Sequence, residues 1–387
     1  MTDTTGAPSA ASTPSTASAA PAEAAEPRVS TLELFFDLVF VFGFTQVTSS
    51  VTHDPTLTTL GHGVLVFAML WWAWGAYAWL TNTVPTGELA PRLVVLGAMA
   101  AMLVAALAVP GAFDDSGVAF ALGYLVVMAL HAALFALAGE NPETTRAAIL
   151  RLAPTNLLAA GVLIVAGFSD GTPRAVLWIV AVAMSYLGPY ATGVAGFTLH
   201  PAHFVERHGL IVIVALGESV VALGAGSDEL SIDWAFAGTA LVAIALLSGL
   251  WWAYFDADAP AGERALLATT GADRARLARD VYSYLHIPLV FGVVLTAMGL
   301  HEALAHPGDP LHGVLATAFG AGIALFFAAL AAIRVRRGEG PGAACVAAAV
   351  VAVGVAAAAR EIDAVASLAI LAVVVLGTTL VERRTRR

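Results

Sequence analysis

Few residues of this chain can exchange a proton or hold an ion, and several of those fall inside apolar sequence. Glu33 and Asp37 are four apart in TLELFFDLVFVFGFTQV, so on a helix their carboxylates share one face. Glu33 is expected at a membrane interface and Asp37 about one turn deeper. Anchoring of a helix end, by nearby arginines or the helix dipole, accounts for Glu33 more easily than for Asp37, which precedes a wholly apolar stretch. Glu218 follows Arg207 by eleven residues in ERHGLIVIVALGESVVALG, about 16 Å along a helix at ~1.5 Å per residue. That is near the middle of a hydrocarbon core of about 30 Å. A carboxylate there costs roughly 2.5–3.5 kcal/mol on insertion scales. Glu218, with Ser219 beside it, is therefore expected to face other helices. There it would pair, take up a proton or line a polar path.

A third group lies in RDVYSYLHIPLVFGVVLTAMG. Asp280, Tyr284 and His286 fall in the first half of that segment, and Pro288 frees the carbonyl of Tyr284 and can kink a helix. His286 can accept a proton, although a lone helix histidine is more often a hydrogen-bonded packing residue. The same holds for His131. The expected path residues are Asp37, Gln46, Glu218, Ser219 and His286. Glu33, Arg207, His208, Asp280 and Tyr284 are expected in structural or gating roles. His200, His203 and His208 cluster with Glu206, but their spacing matches no standard metal-ligand pattern. No metal or other cofactor is expected, and no phosphate-binding loop, nucleophile elbow or zinc-protease helix is present. The tryptophans at 71, 72, 74, 79, 251 and 252 are read as packing and interface residues.

The elements that must hold these residues are membrane helices. Of 387 residues, 59% are hydrophobic and only 12% charged, against about 25% charged in soluble domains. The net charge of −10 implies no affinity for nucleic acid; the lipid bilayer and an ion or small solute are the expected partners. Every basic residue is arginine, and Cys345 is the only cysteine, so no internal disulfide can form. Residues 1–27 lack aromatic residues and are expected to form a disordered tail.

From Ser30 onward apolar runs alternate with short polar loops. The spacing predicts an all-α polytopic protein of about twelve transmembrane helices, roughly 31–51, 58–81, 92–110, 117–139, 147–168, 174–194, 208–225, 234–255, 280–303, 312–333, 342–359 and 363–381. With that count, sixteen of the eighteen arginines fall on the side of the N-terminus, and only Arg174 and Arg360 lie opposite. Basic loops mark the cytoplasm, so both termini are expected inside. LVFVFGFTQV (38–47) echoes LIVIVALGES (210–219), and WWAW (71–74) echoes WWAY (251–254). The echoes predict two six-helix halves, 28–200 and 201–387, related as parallel repeats, with Gln46 matching Glu218.

The opening TLELFFDLVFVFGFTQV, with ERHGLIVIVALGESVVALG and YSYLHIPLVFGVVLTAMGL in order after it, resembles the bacterial low temperature requirement A (LtrA) family over about residues 28–381. That resemblance implies a multi-pass protein of the bacterial inner membrane linked to growth in the cold, with no set reaction. The acidic residue just inside the first helix is also similar to potassium channels with an FSD motif. Phe36 stands where that motif has serine, and Leu210 lies near the matching place of the second half. Three functions fit the sequence: a transporter or channel for an ion or small solute, a membrane-embedded enzyme using Glu218 and His286 as acid and base, or a non-transporting scaffold or sensor. A polar cavity at Glu218 favours the first, an opening to lipid the second, and a solid core the third.

Overall fold

The computed structural model describes residue 2 and residues 28–138, 142–225 and 234–385. The tail expected over 1–27 falls almost wholly outside these residues, as do Asp228, Glu229, Arg386 and Arg387. The described chain is helical. In order the helices are α1 (Thr31–His53), α2 (Leu57–Thr83), α3 (Leu89–Leu107), α4 (Gly117–Ala138), α5 (Pro142–Gly167), α6 (Gly171–Thr192) and α7 (Pro201–Ala225). There follow α8 (Trp234–Leu267) and α9 (Gly271–Ala305), then α10 (Gly313–Arg336), α11 (Ala343–Ala358) and α12 (Ala364–Thr385). Ten of them are long and apolar enough to cross a membrane, which makes this a multi-pass membrane protein. The other two are α7, which carries Glu206, Arg207 and Glu218, and α11. At 16 residues, α11 is only about 24 Å long.

Two helices are longer than the apolar runs inside them. α8 continues through a π turn at Tyr254–Asp258, and α9 begins ahead of a π segment at Arg279–Leu285. At 34 and 35 residues they reach about 50 Å, well past a core of about 30 Å. The apolar runs stop at 255 and start at 280 because the remaining turns are polar, carrying Arg264, Arg274 and Arg276.

α2, α9 and α10 lie at the centre, with 72%, 78% and 72% of their apolar windows buried, whereas α6 is 28% buried and faces outward. α9 and α10 meet at Gly292 and Gly322. A Cβ on either would come within 2.6 Å of the other's carbonyl oxygen, so only glycine permits this backbone approach. Packing partners recur six helices apart. α1 packs on α2 and α3 as α7 packs on α8 and α9. The α3–α4, α4–α5, α5–α6 and α2–α6 contacts have counterparts in α9–α10, α10–α11, α11–α12 and α8–α12.

Candidate functional site

The ionisable residues of α1 are fixed from its first turn. Ser30 caps the helix, its hydroxyl accepting from the Glu33 amide, while Glu33 Oε2 accepts from the Ser30 amide and hydroxyl. This capping box turns the Glu33 carboxylate toward α7. His203 Nε2 lies 3.2 Å from Glu33 Oε1. One turn on, Arg207 Nη2 lies 3.0 Å from Asp37 Oδ1, and Arg207 Nη1 3.7 Å from Glu33 Oε1. Trp74 on α2 donates its indole N–H to Asp37 Oδ1 at 2.8 Å. Arg207 and Asp37 are fully buried, and Glu33 and His203 nearly so.

Glu33 and His203 are 170 residues apart, and Asp37 and Arg207 have the same separation. A constant difference, rather than a constant sum, means that α1 and α7 run side by side in the same direction. The acidic pair of one helix meets the basic pair of the other, turn for turn.

The protonation of His203 follows from its neighbours. Asn82 Oδ1 accepts from the His200 amide at 2.7 Å, which directs the Asn82 NH2 group at His203 Nδ1, 3.1 Å away. That NH2 can only donate, so Nδ1 must accept and Nε2 carries the proton toward Glu33. His203 is thus neutral, and the two carboxylates share the single charge of Arg207. The group also retains bonding capacity. Glu33 Oε1, Asp37 Oδ2 and all three guanidinium nitrogens of Arg207 make no well-directed hydrogen bond among the described residues.

A second buried ion network provides a contrast. Asp258 accepts from Arg334 Nε at 3.0 Å and Nη2 at 2.6 Å and from Arg337 Nη2 at 2.8 Å, and Arg334 Nη1 donates to Glu382 at 2.7 Å. Each arginine here has a carboxylate of its own beside the shared Asp258: Glu382 for Arg334 at 2.7 Å, and the more exposed Glu339 for Arg337 at 3.0 Å. The network ties α8, α10 and α12 together.

Deeper along the same seam, Glu218 is 9% exposed and faces α1 beside the Thr45 side chain, whose hydroxyl donates back to the Val41 carbonyl at 3.1 Å. Gln46, one residue on, is half-buried. Ser219 is buried and bonds back to the Ala215 carbonyl at 3.2 Å. His286 is held elsewhere. Its Nδ1 donates to the Val281 carbonyl at 2.9 Å, inside the π segment, leaving Nε2 to the Tyr254 hydroxyl at 2.9 Å. His208 donates Nδ1 to the Phe204 carbonyl at 2.8 Å. It lies edge-on between Trp74 and His286, with ring centroids 4.9 and 5.5 Å away. Its buried Nε2 has no partner among the described residues. Asp280 pairs with Arg279 and Arg336 near the helix end, and Tyr284 donates to the Tyr186 carbonyl. His131 sits 3.0 Å from the Ala76 carbonyl.

The structure therefore joins Glu33, Asp37 and Arg207, adds His203, Trp74 and Asn82, and sets Glu218 and His286 in separate contacts. Of the added residues, His203 had a signal in the sequence: Glu33-x-x-x-Asp37 and His203-x-x-x-Arg207 are complementary pairs at the same helical spacing. No group of three or more His, Cys, Asp or Glu among the described residues is arranged to hold a metal.

Cavities among the described residues include three of note. One of about 60 Å³ is lined by Trp71, Trp72 and Trp79 with residues of α4, α5, α6 and α9. A second, about 270 Å³, lies among α8, α10, α11 and α12, the counterparts of α2, α4, α5 and α6. A third, about 320 Å³, opens at the far end of α1 beside His53, His62 and Asp114. None of the three is lined by Asp37, Arg207 or Glu218.

The chain matches the family model for the bacterial low temperature requirement A protein (LtrA) over residues 28–380. It is also similar to the uncharacterized protein RA0937 of Rhizobium meliloti (strain 1021). The two are 31% identical over 292 residues, covering 71% of this chain and 69% of that protein.

Proposed function

The chain belongs to the bacterial low temperature requirement A (LtrA) family, and from that premise we propose that it moves a monovalent cation, the proton in the simplest case, across the bacterial inner membrane. The reading rests on one observation: buried Glu33 and Asp37 share one arginine while His203 is held neutral. Such a site is one positive charge short, and an unbalanced charge in a low-dielectric interior recruits its counter-charge. Protonation of a carboxylate, or entry of a cation, completes it. Thr45 and Glu218 continue the same α1–α7 seam toward the bilayer centre and give the charge a further stop.

In this reading α7 and α11 cross the membrane with the ten other helices, giving twelve crossings with both termini cytoplasmic. The recurrence of packing partners six helices apart supports two parallel halves, with α1 and α7 as their matching first helices. Purified protein in liposomes should move protons, K⁺ or Na⁺ down an imposed gradient, and Asp37→Asn should stop the flux without unfolding the protein. A wild-type protein no more conductive than empty liposomes refutes the proposal. It would favour a scaffold or sensor.

A further inference from the structure

We infer that the tryptophan-lined cavity is a binding site for a compact zwitterion with a quaternary ammonium head and a carboxylate. The inference stands apart from the transport reading, since the α1–α7 seam takes no part in it.

All three indole N–H groups are already used. Trp71 donates to the Ser283 carbonyl at 3.0 Å, Trp79 to the Ser283 hydroxyl at 3.0 Å, and Trp72 to Asn156 Oδ1 at 3.1 Å. What the rings offer a ligand is their carbon surface and its negative π-faces. Surfaces of this kind attract a cation that needs no hydrogen bonds, as a trimethylammonium group does. A metal ion or primary ammonium would instead go unsatisfied there.

A bare cation does not fit the rest of the lining. No carboxylate lines the cavity, whereas Arg279 does. The Arg279 guanidinium is stacked 4.2 Å over Tyr190 and tied to Asp280 through Nε and Nη2, which leaves Nη1 to donate. The Asn156 NH2 group is likewise uncommitted. These two donors suit one carboxylate. At about 60 Å³ the cavity has room for roughly four to six waters at ~10–15 Å³ each, so the ligand must be small.

Titration calorimetry and intrinsic tryptophan fluorescence on the purified full chain test this. The probes are trimethylglycine, its uncharged-head isostere 3,3-dimethylbutyrate, and tetramethylammonium. Trimethylglycine should bind saturably, and each of the other two at least tenfold more weakly. Trp72→Leu and Arg279→Gln should each weaken trimethylglycine binding at least tenfold. The ligand series needs only the wild-type protein, so a poorly folding variant does not leave the question open. Equal binding of 3,3-dimethylbutyrate, or no saturable binding of trimethylglycine, overturns the inference.

Discussion

Arg207 and Asp37 stand 3.0 Å apart with neither side chain exposed, and Arg207 also serves Glu33. The arrangement is lopsided, so losing one partner is not equivalent to losing the other. Asp37→Asn leaves one carboxylate facing one arginine and should change thermal stability little. Arg207→Leu leaves two buried carboxylates with no cation and should cost about 3–5 kcal/mol. The double variant should recover part of that loss. A thermal-shift series in detergent reads all three, and equal losses for the two single variants would contradict the charge count.

Asp258 offers the control. Replacing it by Asn removes the carboxylate that two arginines share but leaves Glu382 to Arg334 and Glu339 to Arg337, so it should cost less than Arg207→Leu. This network holds helices together instead of handling charge, so the folded variant should keep its flux and ion selectivity. Altered selectivity in Asp258→Asn would move this network into the pathway.

Glu218 touches Thr45, so a cysteine at each position, in a chain with Cys345→Ser, should cross-link with a short bifunctional reagent. Failure to cross-link would deny the parallel contact of α1 and α7 at that depth. Separately, Glu218→Gln keeps the shape and hydrogen-bonding capacity of the side chain and removes the charge. It should leave the protein inserted and reduce flux at least tenfold, whereas unchanged flux would make Glu218 a packing residue.

Sidedness is checked with reporters. One placed at the C-terminal end should be cytoplasmic, and one in the loop at Asp114–Asp115 external, as the arginine distribution requires. Both reporters on one side would invalidate the assignment.

Apolar length and arginine placement made the helices legible, because lipid imposes both on a spanning chain. The exceptions have physical causes. The outer turns of α8 and α9 are polar and carry no hydropathy signal, and π turns leave no mark in composition. At the site, Glu33, Asp37 and Arg207 were visible as charges in apolar sequence, but their pairing depends on which helix lies beside α1. His203 was hidden in a histidine cluster whose spacing matches no metal-ligand pattern, and Trp74 among tryptophans read as packing and interface residues. Asn82, which fixes the His203 tautomer, is one amide near a helix end, and only its two contacts distinguish it. The echo of Gln46 with Glu218 aligned two sequences, whereas the contact depends on which faces of α1 and α7 meet, and that face carries Thr45.

The π segment Arg279–Leu285 decides how many neighbours a single helix can address. Ser283 and His286 are three residues apart, and in an ordinary α-helix they would point almost the same way. The wider turn separates them: Ser283 bonds to two tryptophans of α2, and His286 to Tyr254 of α8. One extra residue in the winding thus lets α9 hold both sides of the molecule at one depth. Deleting one residue inside that turn would restore regular winding and return these two positions to one side of the helix, so that one of the contacts is lost. A one-residue gap at 279–285 should therefore do more damage than most substitutions in the same stretch. Relatives that keep both contacts should keep the length of this turn even where its residues change.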